Sequence, residues 1–260
     1  MRQLARLLTG LLPLFALASL VAAGAATAQP APAARASSEA RARGMELIKQ
    51  AAAAMGGADK LAVVKDVTVK GKVVLNGPMG EVTGDSVALV LYPNKIKSTI
   101  NLPMGEMVQG YDGKTAWVQM AGQAQELPAA MNEEMERSII TSGAIGLMRL
   151  ALDGQAEVGA AGEAEVNGKM ADVVLWKRGT LEIQLSLDAK THLLSKLAFR
   201  GMTPQGETDI EVITSDHRDA GGVKVPFKVT GLQGGQQYLQ LTVTDVKLNA
   251  GLEAGMFAKP

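Results

Sequence analysis

The alternation of apolar and polar residues predicts that most of this chain forms β-strands. The alternation is strictest near residue 180, where Leu181, Ile183, Leu185 and Leu187 are separated by single polar residues. A period of two places the four leucine and isoleucine side chains on one face of a half-buried strand. Turn sequences such as Asp112-Gly113 separate successive strands of this kind along the chain.

Two runs of strands are predicted. The first run has strands at Glu81–Tyr92, Lys95–Leu102, Glu106–Tyr111, Thr115–Met120 and Ala124–Leu127, preceded by a strand that begins at Asp66. The second run, from Glu157 to Asn249, contains six or seven strands between glycine-rich turns. We expect about eleven strands in all, arranged as an antiparallel meander.

The last long strand changes parity along its length. Leu239, Leu241 and Val243 share one face, whereas Val246 and Leu248 have the opposite parity. One extra residue in a strand reverses the faces of all residues beyond it. The sequence therefore predicts a β-bulge near Thr244-Asp245.

Helical segments precede and interrupt the strands. Ser37 or Ser38 can cap a helix that continues through Met55 and is ended by Gly56-Gly57. A second helical segment, Ala129 to Leu152, is inserted between the two β runs, with Ser142-Gly143 as a kink or a break between two helices.

These elements predict a mainly β fold with helices. Many one-sided strands bury their apolar faces by curling into a strongly curved antiparallel sheet or unclosed β-barrel, or by splitting into a sandwich. The two helical segments favour the curved sheet, covered or plugged by helices. A fully packed interior would make a scaffold, and an incompletely filled interior would make a carrier.

The amino terminus predicts export. Arg2 and Arg6 precede an apolar run from Leu11 to Ala23, and Ala26-Thr27-Ala28 provides a small-residue cleavage site. This pattern is typical of a cleavable signal peptide at 1–28, and the run is shorter than the roughly 20 residues of a membrane-spanning helix. We expect a disordered lead-in at 29–36, a single β domain at 37–260, and a soluble periplasmic product without a transmembrane span.

Composition narrows the function classes. The chain has no cysteine, so neither a lipid-modified cysteine nor a disulfide can form. Without Arg2 and Arg6, 24 basic residues stand against 26 acidic ones, a formal charge of −2. No basic surface for nucleic acid is predicted from that balance.

Catalysis is not predicted. The two histidines, His192 and His217, lie outside any helical metal-binding motif and are interpreted as surface turn residues. No Gly-x-Ser-x-Gly motif and no phosphate-binding glycine loop is found in a suitable context. We therefore expect a protein that is not an enzyme and has no metal or cofactor.

Methionine suggests a binding site. The chain has 13 methionines against four phenylalanines, and flexible thioether side chains can repack around apolar ligands of variable shape. The predicted ligand-binding residues of an apolar cavity are Met104, Met107, Trp117, Met120, Met131, Met135 and Met148. The alternative is that methionine fills an irregular core, with the tryptophans as core or rim anchors.

Several segments resemble a known superfamily. The order of helix, meander, inserted helix and second meander resembles the LolA/LolB-like periplasmic lipoprotein carriers, as do Met55-Gly56-Gly57 to Val64, the segment from Gly110 to Trp117, and Asp245 to Phe257. The chain is most similar to the β-rich C-terminal domain of some secreted insulinase-type zinc peptidases, including the segment from Val223 to Lys228. The resemblance implies the fold more strongly than the activity.

Two functions remain open. The first is a periplasmic carrier for a lipid or a lipoprotein acyl chain, with Gly143 and Gly146 as hinges of a movable helix. The second is a non-catalytic interaction or assembly module that acts with a secreted peptidase or an envelope complex. A long unpaired edge strand would favour the second function through strand addition.

Overall fold

A computed structural model describes residues 37–77, 80–203 and 206–260. The predicted signal peptide and lead-in lie outside these residues. The first β run comprises β1 (Asp66–Gly77), β2 (Gly80–Leu91), β3 (Lys95–Leu102), β4 (Gly105–Tyr111), β5 (Ala116–Met120) and β6 (Gln123–Glu126). The second run comprises β7 (Glu157–Val166), β8 (Lys169–Arg178), β9 (Leu181–Asp188), β10 (Leu194–Thr203), β11 (Gly206–Ala220), β12 (Val223–Gln233) and β13 (Gln236–Leu248). The helices are α1 (Ser38–Met55), α2 (Ala58–Ala62), α3 (Ala130–Thr141) and α4 (Ala144–Leu152), and a 3₁₀ helix spans Ala254–Phe257.

All described strands belong to one antiparallel sheet that is not closed. Its order is β6-β5-β4-β3-β2-β1-β13-β12-β11-β10-β9-β8-β7, so the pairing of β1 with β13 joins the two meanders. The main core contains α1, α3 and α4 together with one face of the sheet. We call this helix-covered face the inner face. The predicted mainly β fold, an unclosed curved sheet with helices, is confirmed, with thirteen strands among the described residues instead of about eleven.

The predicted β-bulge is confirmed. Lys70 of β1 is paired with Asp245 of β13, but the next residue, Gly71, is paired with Val243, which leaves Thr244 as the extra residue. A Cβ atom on Gly71 would lie 2.6 Å from the carbonyl oxygen of Thr242. The bulge therefore places Val243 and Val246 on the same inner face and requires glycine on the opposing strand.

The helix α1 packs tightly against β7. The Ser37 hydroxyl accepts a hydrogen bond from the Ala40 amide at 3.1 Å, so the predicted N-cap is confirmed. A Cβ atom on Gly44 would lie 2.7 Å from the Cα atom of Gly159. The absence of a side chain at residue 44 thus allows the helix and strand backbones to meet.

The inserted segment forms two helices, α3 and α4, which are separated at Ser142-Gly143, as one of the two predicted alternatives had it. The helix α1 ends at Met55 as predicted. The short helix α2 was not predicted, because five residues carry too little periodicity to indicate a helix.

The C-terminal segment covers part of the outer face of the sheet. The buried Asp66 carboxylate accepts hydrogen bonds from the amides of Ala250 and Gly251, at 2.7 and 3.1 Å, and holds the start of the segment. Farther along, the Trp117 indole donates a hydrogen bond to the carbonyl oxygen of Phe257 at 2.8 Å. Both aromatic side chains are fully buried, so this segment closes an outer core over β5.

Candidate functional site

An apolar cavity of about 190 Å³ lies between the inner face of the sheet and the junction of α3 and α4. Its floor is built from β1, β2, β3, β13 and β12, and Val67, Val69, Val243 and Val246 supply much of the apolar surface. An apolar cavity of about 150 Å³ stays free of water and accepts a benzene-sized molecule. The cavity is therefore large enough for a short apolar group but smaller than the roughly 300–1,000 Å³ of typical ligand pockets.

Small side chains in the middle of the sheet create the space. Gly71 is paired with Ser86, and Ala88 is paired with Ser98, so four small residues occupy neighbouring positions on the inner face. The flanking inner positions carry larger side chains, such as Ile100, that fill their share of the core. Protein interiors are otherwise closely packed. The small residues beneath the helices leave space that larger side chains would have filled, and this space is the cavity.

Residues of the helices form the roof. Met135 and Ser138 project from α3, and Ala144 and Ile145 begin α4. Between the two helices, Ser142 is exposed and Gly143 is partly exposed. The junction thus separates the cavity from solvent with little side-chain volume.

The helix α3 combines two buried apolar side chains, Met135 and Ile139, with polar contacts at the rim of the sheet. The Tyr111 hydroxyl donates a hydrogen bond to the Glu136 carboxylate at 2.7 Å, and the Asn132 side-chain oxygen accepts one from the Ala116 amide at 2.9 Å. On the other side, the Arg137 guanidinium donates to the Thr180 hydroxyl at 3.0 Å. The helix therefore bridges the two β runs across the open side of the sheet.

The helix α4 is held mainly by burial. Leu147, Met148 and Ala151 are fully buried in the main core. The Trp176 indole donates a hydrogen bond to the Leu147 carbonyl at 3.2 Å, which fixes the helix to β8. These contacts anchor α4 within the core.

A second group of contacts ties α4 to the residues just before β1 and just after β2. The Arg149 guanidinium donates to the Val64 carbonyl at 2.6 Å and lies 5.2 Å from the centre of the Tyr92 ring, within cation–π range. Burial raises the pKa of Tyr92 to about 12, against the opposing effect of the Arg149 charge. Tyr92 therefore stays neutral at physiological pH and presents its ring to the cavity.

The predicted ligand-binding residues are spread over several environments. Met135 lines the cavity, Met148 is fully buried in the core, and Met131 is partly buried on α3. Met107 and Met120 are paired on the inner face, and Met107 packs on a separate cluster around Ile100 and Tyr238. The structure does not bring these methionines together around one cavity.

Two predicted residues lie away from the cavity. Met104 is 65% exposed in the turn between β3 and β4. Trp117 lies on the outer face. Its ring covers the side of Gly110 where a Cβ atom would stand, and the next pair of residues, Tyr111 and Ala116, faces the main core instead. Trp117 thus anchors the C-terminal segment.

Sequence reasoning missed the cavity floor. The feature of the sequence that could have indicated this floor is a set of small residues at inner-face positions, where other strands carry branched apolar residues. These small residues are Gly71, Ser86, Ala88 and Ser98. Strand periodicity predicts the inner face correctly. It does not show that these four positions become neighbours, since their adjacency depends on strand register.

The prediction that both histidines lie in surface turns is wrong for His217. His192 lies in the turn after β9, whereas His217 lies within β11 and is partly buried. Burial lowers the pKa of His217 below its usual value, although a backbone hydrogen bond to Leu194 opposes that effect. Among the described residues, no group of three or more histidine, cysteine, aspartate or glutamate side chains is placed to hold a metal ion.

Within residues 37–77, 80–203 and 206–260, no helix combines the length and apolar character needed to cross a bilayer.

This chain is similar to known proteins in its three-dimensional structure and not in its sequence. No family model and no curated protein matches the sequence. A LolA superfamily protein from Nitrosomonas europaea has a TM-score of 0.56 at 14% identity, over 83% of this chain and 98% of that one. A DUF1329 family protein from Desulfovibrio piger has a TM-score of 0.54 at 10% identity, over 85% and 98% of the two chains.

A third solved structure points the same way. A domain from Vibrio parahaemolyticus, described as belonging to an outer membrane lipoprotein-sorting protein, has a TM-score of 0.53 at 11% identity. The match covers 84% of this chain and 97% of that one. At these identities the likeness concerns the fold alone, and the chain shares its fold with these three proteins, one of which is a LolA superfamily protein.

Proposed function

We propose that this protein is a periplasmic carrier that holds a lipid, or an acyl chain of a lipoprotein, in the apolar cavity beneath α3 and α4. The observation that carries the proposal is the cavity itself, which lies on the inner face where the sheet has small residues. Burial of an acyl chain would contribute roughly 25 cal/mol per Å² of apolar surface removed from water. No catalytic residue is required for this function.

The size of the cavity implies movement of its roof. A volume of about 190 Å³ accommodates part of an acyl chain, so a complete chain requires displacement of a covering element. The helix α3 is the element we propose to move, with Gly143 as the hinge. A Cβ atom on Gly143 would meet no atom within 4 Å, so no side chain packs against this residue of the junction.

The name of one structural neighbour is consistent with this function. The Vibrio parahaemolyticus domain is described as lipoprotein-sorting, and the predicted signal peptide of this chain would direct it to the periplasm. A lipid or lipoprotein would be the ligand, and an envelope protein would be the donor or acceptor.

The alternative function, an assembly module using strand addition, has less support. The edge strands of the described sheet are β6, with four residues, and β7, with ten. The pairing of β7 with β8 shifts register between Ala160 and Glu163, and a bulge of this kind hinders edge-to-edge pairing.

Native mass spectrometry of the protein purified from a bacterial periplasm tests the carrier function. We expect a copurified acyl lipid near one per chain, identified after organic extraction. The variant Ala88→Leu should purify without lipid because the larger side chain fills the cavity, and its unfolding temperature should stay close to that of the wild type.

A matched variant controls for the added volume. Ala198→Leu makes the same change on the outer face of β10 and should retain the lipid, since Ala198 is paired with Glu211 and has its buried neighbour Leu197 on the inner face. A ligand-free wild type that also takes up no added acyl lipid would contradict the carrier function.

A further inference from the structure

Two polar side chains interrupt the apolar wall of the cavity. Ser98 of β3 is directly paired with Gln109 of β4, and both line the cavity. Ser98 is only 6% exposed. Directly opposed residues of antiparallel strands have Cβ atoms about 4.5–5.5 Å apart, so the hydroxyl and the amide can reach the same small group.

The other serine and threonine hydroxyls of the cavity already have partners. Ser86 donates to the Gly71 carbonyl at 3.2 Å, and Ser138 donates to the Glu134 carbonyl at 2.9 Å. Thr141 and Ser142 likewise donate to carbonyl oxygens of α3, those of Arg137 and Ile139. These bonds satisfy each hydroxyl locally.

Ser98 and Gln109 differ from that group. Within the part of the chain that the structure describes, neither side chain forms a hydrogen bond with another residue. Gln109 is partly exposed, and a ligand that fills the cavity would remove both polar groups from water. A polar group left there without a partner would then cost roughly 1–3 kcal/mol. A ligand that supplies the missing partner would bind here more tightly than an equally apolar ligand that does not.

Charge restricts the chemistry of that ligand. None of the described residues that line the cavity is charged. A carboxylate or phosphate inside it would lose its hydration without an opposing charge, which is strongly unfavourable. The enclosed group must therefore be neutral, and it must accept a hydrogen bond.

We propose that Ser98 and Gln109 bind the ester or amide carbonyl of the acyl group held in the cavity, so that the carrier selects neutral acyl esters and amides over free fatty acids and plain hydrocarbons. The Ser98 hydroxyl and the Gln109 amide nitrogen donate to the carbonyl oxygen. This inference rests on the carrier function proposed above and adds the chemical class of its ligand.

Displacement of the neutral fluorophore N-phenyl-1-naphthylamine tests the selectivity with four probes of equal chain length: methyl dodecanoate, N-methyl dodecanamide, dodecanoate and dodecane. At pH 8, the wild type should bind the ester and the amide more tightly than the other two probes. The double variant Ser98→Ala/Gln109→Leu should lose about 3- to 10-fold in affinity for the ester and the amide and keep its affinity for dodecane. Gln184→Leu, on an exposed strand position, should behave as the wild type.

The outcomes distinguish the selectivity from the carrier function. Equal binding of dodecanoate and its ester, unchanged ester binding by the double variant, or an equal loss for all probes would overturn the carbonyl site and leave the carrier function standing. Failure of the wild type to bind any of the four probes, or the fluorophore, would overturn both.

Discussion

The helices α3 and α4 are neighbours that cover the same cavity, but they are attached to the sheet in different ways. Six residues of α4 are buried, including the fully buried Leu147 and Met148. In α3, Met135 and Ile139 are fully buried and Ile140 is partly buried against the core, and hydrogen bonds at the rim add to these contacts. The two helices therefore depend on different interactions.

The difference indicates which helix can move. Full burial of a large apolar side chain contributes about 1.5–3 kcal/mol, whereas a typical hydrogen bond contributes about 0.5–1.5 kcal/mol net. Lifting α3 would expose two buried apolar side chains while water replaces its rim hydrogen bonds, whereas lifting α4 would expose five buried apolar side chains. In this account α4 is part of the scaffold and α3 is a movable cover.

Truncation of a buried side chain should show the largest difference in stability between the two helices. Leu147→Ala in α4 should lower the free energy of unfolding by about 2–5 kcal/mol, because it removes a fully buried side chain from a closed core. Met135→Ala in α3 should cost less, since its side chain already borders a cavity. Urea unfolding of both variants measures the difference, and equal losses would contradict it.

Removal of the Arg149 contacts should have the next largest effect. Arg149→Met keeps apolar length but leaves the Val64 carbonyl without its charged donor and removes the contact with the Tyr92 ring. We expect a loss of about 1.5–3 kcal/mol in global stability, the range for hydrogen bonds to charged groups. Thermal and urea unfolding check this value. A variant as stable as the wild type would show that packing alone holds α4.

Removal of a rim contact should act on α3 locally. Tyr111→Phe deletes the hydrogen bond to the Glu136 carboxylate. Because Glu136 is exposed, we expect about 1.5 kcal/mol of lost protection in α3, the low end of the range for a charged partner, with faster uptake of ligand. Hydrogen exchange followed by mass spectrometry resolves the effect by segment. Peptides of α4 are the internal control, and the comparison fails if both helices lose protection equally.

High pH should weaken the same contacts by a smaller amount. Burial, together with Glu136, raises the pKa of Tyr111 to about 12, and burial raises that of Tyr92 to about 12. Folding therefore favours the neutral form of both tyrosines. Their contribution to the free energy of unfolding is complete below the unfolded pKa of about 10 and is lost as the pH rises through 12. The unfolding temperature should fall over this interval, and less so in Tyr111→Phe.

Sequence patterns predicted the strands and helices well because their signals are local. The alternation around Leu181 and the parity change at Thr244 depend on a few consecutive residues, and both agree with the structure. The cavity depends on the register of β1, β2 and β3, which brings Gly71, Ala88 and Ser98 together.

Methionine content was a weaker guide for a related reason. A methionine on an inner face, such as Met107, can fill a core or line a cavity, and the choice depends on what lies above it. The position of α3 above the sheet comes from rim contacts that join residues far apart in sequence, such as Arg137 and Thr180. Local patterns do not contain that information.

The most direct test is a distance measurement between each helix and the sheet by pulsed electron paramagnetic resonance. The chain has no cysteine, so spin labels at Glu133→Cys and Lys72→Cys report on α3, and labels at Asp153→Cys and Lys72→Cys report on the end of α4. On addition of methyl dodecanoate, we expect a longer or broader distance distribution for the α3 pair and an unchanged one for the α4 pair. Ligand binding with both pairs unchanged, or with equal shifts in both, would contradict the assignment of α3 as the movable cover.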